Sequence, residues 1–498
     1  VRQEQDGIQL DTPNVEDPGT DEAKTDGLAI IFVDEQTPTF YGESSNIVFT
    51  RYLLRALSAV SKVKQYEMAI PLKDTGSTKC SSVPLSPQRS LKVPQLSAST
   101  LPPEEEMDAL LSTYFDSYGS QFPFLHEPTF RELYNECKAS GFTKVHKTWL
   151  GLLNMTFALA SNIDQSAEAP AKERFRKSYL FFVRAVSLCK ESSMQTVSLD
   201  IVQYLLLSVL YLQGTQRSIQ TWSVHGILVR TALALGLHSE QSGRGLDPIQ
   251  QEIRRRTWLT IYCLDKLLSV SFGRPPSIPD EYIVVRLPSP WTSTIDKPRQ
   301  QLEGIDISTE FLNATIRLYQ IVGRSITTQY GMNLGLADQD MDESTTIQAA
   351  SAMRQELRRW ASSLPSHLSL CEPESEILLK RTDSNRLRVI LTLRHHFASI
   401  LIHRPLLCTT LRYLTMKESS VRSNLPYRIQ LAMVEAHECI RSAEKTIEIV
   451  HTVLSVQKTG YSNLGVWFFT LFYGTHSQCI YRQFSITDFA RTKCLIRL

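Results

Sequence analysis

The sequence predicts an all-α fold: one large multi-helical body behind a mostly disordered acidic segment and a Pro/Ser-rich linker. Three observations predict it. From Glu104 onward, one stretch after another repeats its apolar residues at helical spacing. Between those stretches stand helix starts and stops, such as Asp247-Pro248-Ile249-Gln250 and the glycines Gly214 and Gly236. Alternating strand patterns are almost missing, and the best candidates, 29–33 and 282–287, are short.

Residues 1–43 form the acidic segment. Eleven Asp or Glu and two basic residues fall in the first fifty positions, with few apolar neighbours, a composition that cannot bury enough surface to fold. Residues 44–70 carry a short helix, with Ile47, Tyr52, Leu54, Leu57 and Val60 at helical spacing and Ser44 or Ser45 as its cap. Residues 71–103 read as a linker, since six prolines among seven serines cannot hold a helix. Pro102-Pro103 followed by three glutamates opens the main body, because carboxylates favour the positive end of a helix dipole. Further helices are expected at about 127–138, 146–161, 168–190, 198–212, 217–236, 248–271, 306–330, 343–363, 384–415, 425–454 and 463–483. The 198–212 and 463–473 stretches are apolar nearly all round and belong inside a multi-layer body. The body is expected to span 104–484, with a tail at 485–498.

Composition narrows the class. The 498 residues are 42% hydrophobic and 21% charged, with 53 Lys+Arg against 51 Asp+Glu, so the whole is neither a basic nucleic-acid arm nor an acidic disordered chain. The chain starts at Val1, as a processed or partial sequence would, and no secretory leader opens it. The longest apolar run, 466–473, falls far short of the ~20 residues a membrane helix needs. Nine cysteines include no close pair, which argues against a disulfide framework or a zinc site and for buried reduced thiols.

No enzyme signature survives inspection. There is no P-loop, dinucleotide fingerprint, GxSxG elbow or HExxH. The acidic run 338–343 lacks the Gly and Glu of a calcium loop and reads as a helix cap. Asn154-Met155-Thr156 and Asn313-Ala314-Thr315 fall inside expected helices and read as chance glycosylation triplets. Arg254-Arg255-Arg256 reads as a solvated helix face flanked by Glu252. Asp265, near an apolar stripe that includes Trp258, needs a partner, with Arg274 or Arg230 as candidates.

Two segments are far more specific. One runs from Trp222 through Arg230 to Gly236-Leu237-His238. The other runs from Glu252 through Arg254-Arg255-Arg256, Trp258 and Asp265 to Gly273-Arg274-Pro275-Pro276. Together they resemble the signature of the fungal-specific transcription factor domain, the "middle homology" or xylanolytic-activator regulatory domain of fungal zinc-cluster transcription factors. Leu110–Phe115 with Phe122–Phe130 resembles that domain's opening, and His403-Arg404-Pro405 its later hydrophobic-His-Arg-Pro segment. The resemblance covers roughly 104–480.

The resemblance implies a nuclear, non-enzymatic regulatory domain controlling RNA polymerase II transcription. Its implied partners are the transcriptional machinery or a co-regulator, a small-molecule effector and a second copy in a homodimer, with no membrane. The family's DNA reader is a cluster of six close cysteines. This chain has one cysteine before residue 137, so no cofactor is expected here, and zinc and DNA only through a domain outside the chain. The effector cavity is expected between the 198–212, 217–236 and 463–483 helices, walled by Tyr204, Tyr211, Trp467 and Tyr473. The competing readings are an all-α lyase or hydrolase, which lacks a paired acidic motif or nucleophile, and a helical scaffold, which lacks a repeat period.

Overall fold

The computed structural model describes residues 40–61, 101–163, 171–215, 217–291, 306–334, 343–380, 382–416 and 426–455. The expected disorder before residue 40, most of the linker, the 29–33 strand candidate, the 338–342 part of the acidic run, the 463–483 helix and the tail lie outside them.

The described residues form thirteen α-helices and no strand. They are α1 (Asn46–Ser61), α2 (Glu104–Tyr114), α3 (Glu127–Ala139), α4 (Lys147–Ile163), α5 (Ala171–Cys189), the one-turn α6 (Ser192–Gln195), α7 (Leu199–Gly214) and α8 (Ser218–Ala234). They continue with α9 (Pro248–Phe272), α10 (Ile307–Gln329), α11 (Glu343–Ser362), α12 (Asp383–Met416) and α13 (Tyr427–Ser455). Apart from α6, which the sequence did not suggest, the helices lie close to their sequence expectations, and the caps explain why. Ser45 Oγ accepts from the Val48 amide at the start of α1. Asp247 accepts from the Gln250 amide at 2.9 Å, with Pro248 at the first helical position of α9. Gly236 (φ 77°) and Gly273 (φ 64°) take left-handed conformations that end α8 and α9 with the paired backbone bonds of a Schellman turn.

α4 lies along α5, α7 spans between α4 and α8, and α12 lies along α13 and crosses α10. α4 and α7 are buried on nearly every face, as the all-round apolar pattern of 198–212 requires. The close approach of α4 to α5 has a visible cause: a Cβ on Gly151 of α4 would lie 2.2 Å from the Cys189 sulfur of α5. Asn154, head of a glycosylation-type triplet, is fully buried in α4. One large apolar core runs from α2 to α12, and a smaller one joins Cys371, Leu378, Val389 and Leu393 to Ile449, Val450 and Val453 of α13.

Two features differ from the sequence reading. Phe115–Gly119 widens into a π-turn, so that Gln121 and Phe122 enter the body directly behind it. The 282–287 segment is not a strand. The Arg286 amide donates to Glu240, the Ser289 amide to Glu252, and Asn313 Nδ2 donates to the Pro288 carbonyl, so side chains replace a ladder.

Candidate functional site

The triple arginine does not form a solvated face. Consecutive helical residues are 100° apart, so three in a row cannot share one side. Arg254 donates to the Leu235 carbonyl at the end of α8. Arg255 forks onto both oxygens of Glu240 at 3.1 Å and also pairs with Glu252. That fork holds the Glu240 carboxyl down to about 2. Arg256 is fully buried. It donates to Glu252 (2.8 Å), the Ser289 carbonyl (2.6 Å) and Thr309 Oγ1 (2.6 Å), and its guanidinium lies 3.8 Å from the Trp291 ring centre. Glu252, three and four residues ahead of these arginines, was the sequence signal for an ion-paired inner face.

Asp265 is also fully buried, but neither Arg274 nor Arg230 is its partner. Its carboxylate accepts from His225 Nε2 and from the amides of Ser277 and Ile278, each at 3.0 Å. It therefore folds the Pro275-Pro276 segment back onto α8 and α9. Arg230 is exposed. Trp258 is fully buried as expected, with His238 6.0 Å from its ring, and Leu237 is buried beside the turn.

The motifs at 273–276 and 403–405 meet on one partner, the chain at 40–49. Arg274 donates to the Phe40 carbonyl at 3.1 Å, and its guanidinium lies near the rings of Tyr41, Trp222 and Phe272. Gly42 and Gly273 touch backbone to backbone: a Cβ on Gly273 would fall 2.4 Å from the Gly42 nitrogen. Arg404 donates to the Ser44 carbonyl (2.7 Å) and Asn46 Oδ1 (3.2 Å), with Phe49 beneath its guanidinium. Asn333 exchanges hydrogen bonds with Ser44. His403 is seated by the Ser399 carbonyl and by Glu435 of α13, 3.1 Å away.

Pro405 lies inside α12 and removes one amide from its ladder, which frees the Leu401 carbonyl. Tyr330 donates its hydroxyl there at 2.6 Å, and Gln329 Nε2 donates to the Ile402 carbonyl at 2.9 Å. The proline is thus accommodated by the end of α10, which also presents Asn333.

A cleft with about 40 Å³ of free space, partly open to solvent, lies between α7, α9, α10 and α12. Leu210 and Gln213 of α7 line it, so one of the three helices expected around a cavity does face one. Tyr204 and Tyr211 do not line it: both are buried, and Tyr211 stacks on Phe182 at 4.4 Å. Trp467 and Tyr473 lie outside the described residues. The cleft wall comes instead from residues that sequence spacing did not single out, among them Thr260, Cys263, Thr315 and Arg394. Burial pushes the Cys263 thiol up to about 12, so it stays protonated and inert.

Among the described residues there is no cluster of metal-ligating side chains, and no helix is long and apolar enough to cross a membrane. The described cysteines are free, and all but half-buried Cys408 are buried. Glu252, Arg254, Arg255, Arg256, Asp265 and Arg274 of the second long motif are committed to holding helices, loops and the incoming chain together. Such an architecture defines a helical body held by buried charged side chains.

Comparison with known proteins agrees. Residues 111–379 match the family model described as the fungal specific transcription factor domain, and the chain belongs to that family. It is similar to Transcription factor FBD3 of Gibberella moniliformis (strain M3125 / FGSC 7600), with 47% identity over 467 residues, covering 92% of this chain and 61% of that protein. Transcription factor FBD3 of Fusarium pseudograminearum (strain CS3096) is also 47% identical, over 479 residues, with the same coverage. The ABC-transporter-regulating transcription factor of Aspergillus fumigatus is 28% identical over 307 residues, 61% of this chain and 33% of that protein. The chain thus spans about three fifths of the length of the first two relatives. No solved structure matches it.

Proposed function

We propose that this chain is the non-enzymatic regulatory part of a nuclear transcription factor that controls RNA polymerase II genes in response to an effector or partner. DNA contact would come from a part of the protein outside this chain. The family match supports the class. The observation that carries the regulatory reading is the junction at 40–49, where Arg274, inside the matched family region, and Arg404, beyond it, hold the chain leading into the body. A change between α9 and α12 is felt directly by that entering segment.

The test is a fusion of the 498-residue chain to a heterologous DNA-binding domain at its N-terminus, read by a reporter gene in a fungal nucleus. The fusion should alter reporter output relative to the DNA-binding domain alone, and Arg404→Ala should change that output while the protein level stays constant. A fusion that leaves the reporter at the level of the bare DNA-binding domain would argue against the regulatory role.

A further inference from the structure

The cleft combines an apolar wall with polar groups that the fold leaves unspent. Phe122, Leu264, Leu267, Leu312 and Phe397 supply most of its surface. Set among them are Gln121 Oε1, Gln213 Oε1 and Thr260 Oγ1, three buried polar atoms without a hydrogen-bond partner. Gln121 and Thr260 are each only 2% exposed. A buried unpaired polar atom costs on the order of 1–3 kcal/mol, so three around one cleft call for a reason.

Arg394 adds a charge. Its guanidinium donates to Thr315 Oγ1 at 2.9 Å and lies 5.1 Å from the Phe311 ring centre and 5.9 Å from that of Phe122. No carboxylate lies within 4.0 Å of it among the described residues, whereas Arg255 and Arg256 share Glu252. Thr315 and the two rings fix the guanidinium plane and leave most of its five donors unused. The nearest titratable groups are Tyr319 and Cys263, both protonated at neutral pH because burial raises them.

We propose that this cleft is a binding site for a small organic monocarboxylate with a short aliphatic body. The carboxylate sits on the Arg394 guanidinium, the apolar body lies along α9 and α10, and a ligand hydroxyl or N–H donates to Gln121 or Gln213. The site deepens the regulatory reading above and rests on it: the ligand joins α9, α10 and α12, and residues 40–49 are held by Arg274 just past α9, Asn333 just past α10 and Arg404 within α12. An anion in a half-buried site beside a fixed guanidinium gains a charge-assisted, two-pronged hydrogen bond. An amide or an ammonium of the same shape does not. The inert Cys263 thiol makes the binding reversible.

The experiment uses the 498-residue chain at pH 7.5 and three probes of one shape: butanoate, butanamide and butylamine. Melting temperature and calorimetric titration are read for each. The carboxylate should raise the melting temperature with concentration, as a ligand of the folded state must, and the other two should not. Arg394→Met should weaken carboxylate binding by about 10- to 100-fold, the range for one hydrogen bond to a charged group. It should also raise the melting temperature of the unliganded protein, because it removes a half-buried charge that no carboxylate balances. Arg394→Lys, which keeps the charge and loses the planar fork, should bind less tightly than the wild type; it also serves if the Met variant fails to fold. Equal shifts by all three probes, no shift by the carboxylate, or a carboxylate shift unaltered in both variants would overturn the proposal. These readouts need no reporter gene, so an empty cleft leaves the regulatory role to be decided by the fusion experiment, and a silent fusion leaves the cleft to be decided here.

Discussion

Replacing Arg256 with Met should destabilise the body by about 3 kcal/mol, at the low end of the 3–5 kcal/mol seen when one partner of a buried ion pair is removed. The low end applies because Glu252 keeps a second cation, Arg255, so its charge is not stranded. What is stranded is the Ser289 carbonyl and one side of Thr309, which lose their 2.6 Å donor. Thr309 retains Asp306, so the deficit falls mainly on the loop ahead of Trp291. At a few degrees per kcal/mol for a large domain, the melting temperature should fall by about 6 °C. Urea unfolding followed by tryptophan fluorescence measures the same quantity with less risk of aggregation. Arg256→Lys keeps the charge but not the planar fork that reaches two acceptors at once, and should lie between the two. Arg230→Met, at an exposed site, should stay within about 0.5 kcal/mol of the wild type. If Arg256→Met also stays within about 1 kcal/mol, the guanidinium is not what joins α9, α10 and the 283–291 segment, and the burial argument fails.

Trp258→Ala should cost on the order of 3–5 kcal/mol by emptying the core under α9, and an unchanged unfolding curve would contradict the position of that helix. Tyr330→Phe removes the donor on the Leu401 carbonyl and should cost about 1–3 kcal/mol in urea unfolding, whereas the same change in a Pro405→Ala background should cost less, since the helix then has its own amide for that carbonyl. Acid should weaken the protein in two stages. Burial holds His395 down to about 4 and His396 well below its ordinary value, so both remain neutral in the fold but gain protons on unfolding. Their contribution is complete above about pH 6.5 and is lost as pH falls toward 4, while Glu240, held near 2, contributes its loss only below about 4.5. Urea midpoints between pH 7.5 and 4 should therefore slope, and His395→Gln should flatten the slope; a flat wild-type profile down to pH 5 would be the contrary result.

Local chemistry was legible in the sequence, and distant pairing was not. Asp247-Pro248, Ser45, Gly236 and Gly273 each act within one turn, which is why the helix limits and the all-α class could be read from composition and spacing. The neighbours of Asp265 could not. His225 lies 40 residues away on another helix, and the amides of Ser277 and Ile278 reach it only because the chain turns at Gly273. The arginine run misled because charge was read before angle: Glu252 at three and four residues' distance already marked the inner face. Tyr211, expected to wall a cavity against α7 and α8, stacks on Phe182, and the other half of that expected wall, Trp467 and Tyr473, lies outside the described residues. The cleft between α7, α9, α10 and α12 depends on how four helices cross, a property that no single segment encodes. The π-turn at 115–119 likewise has no mark in hydrophobic spacing.

The junction at residues 40–49 also orders events during synthesis. Ser44 is bonded to Arg404, 360 residues later in the chain, and to Asn333, 289 residues later. At the usual 5–20 residues per second, the ribosome needs about 20–70 s after making Ser44 before Arg404 exists. Helix α1 is therefore translated before α12, the partner that holds its start, and cannot be fully seated until α12 has been made. A contact of such sequence separation is slow to find and lies late on the folding path. Seating of α1 consequently reports that translation has passed α12.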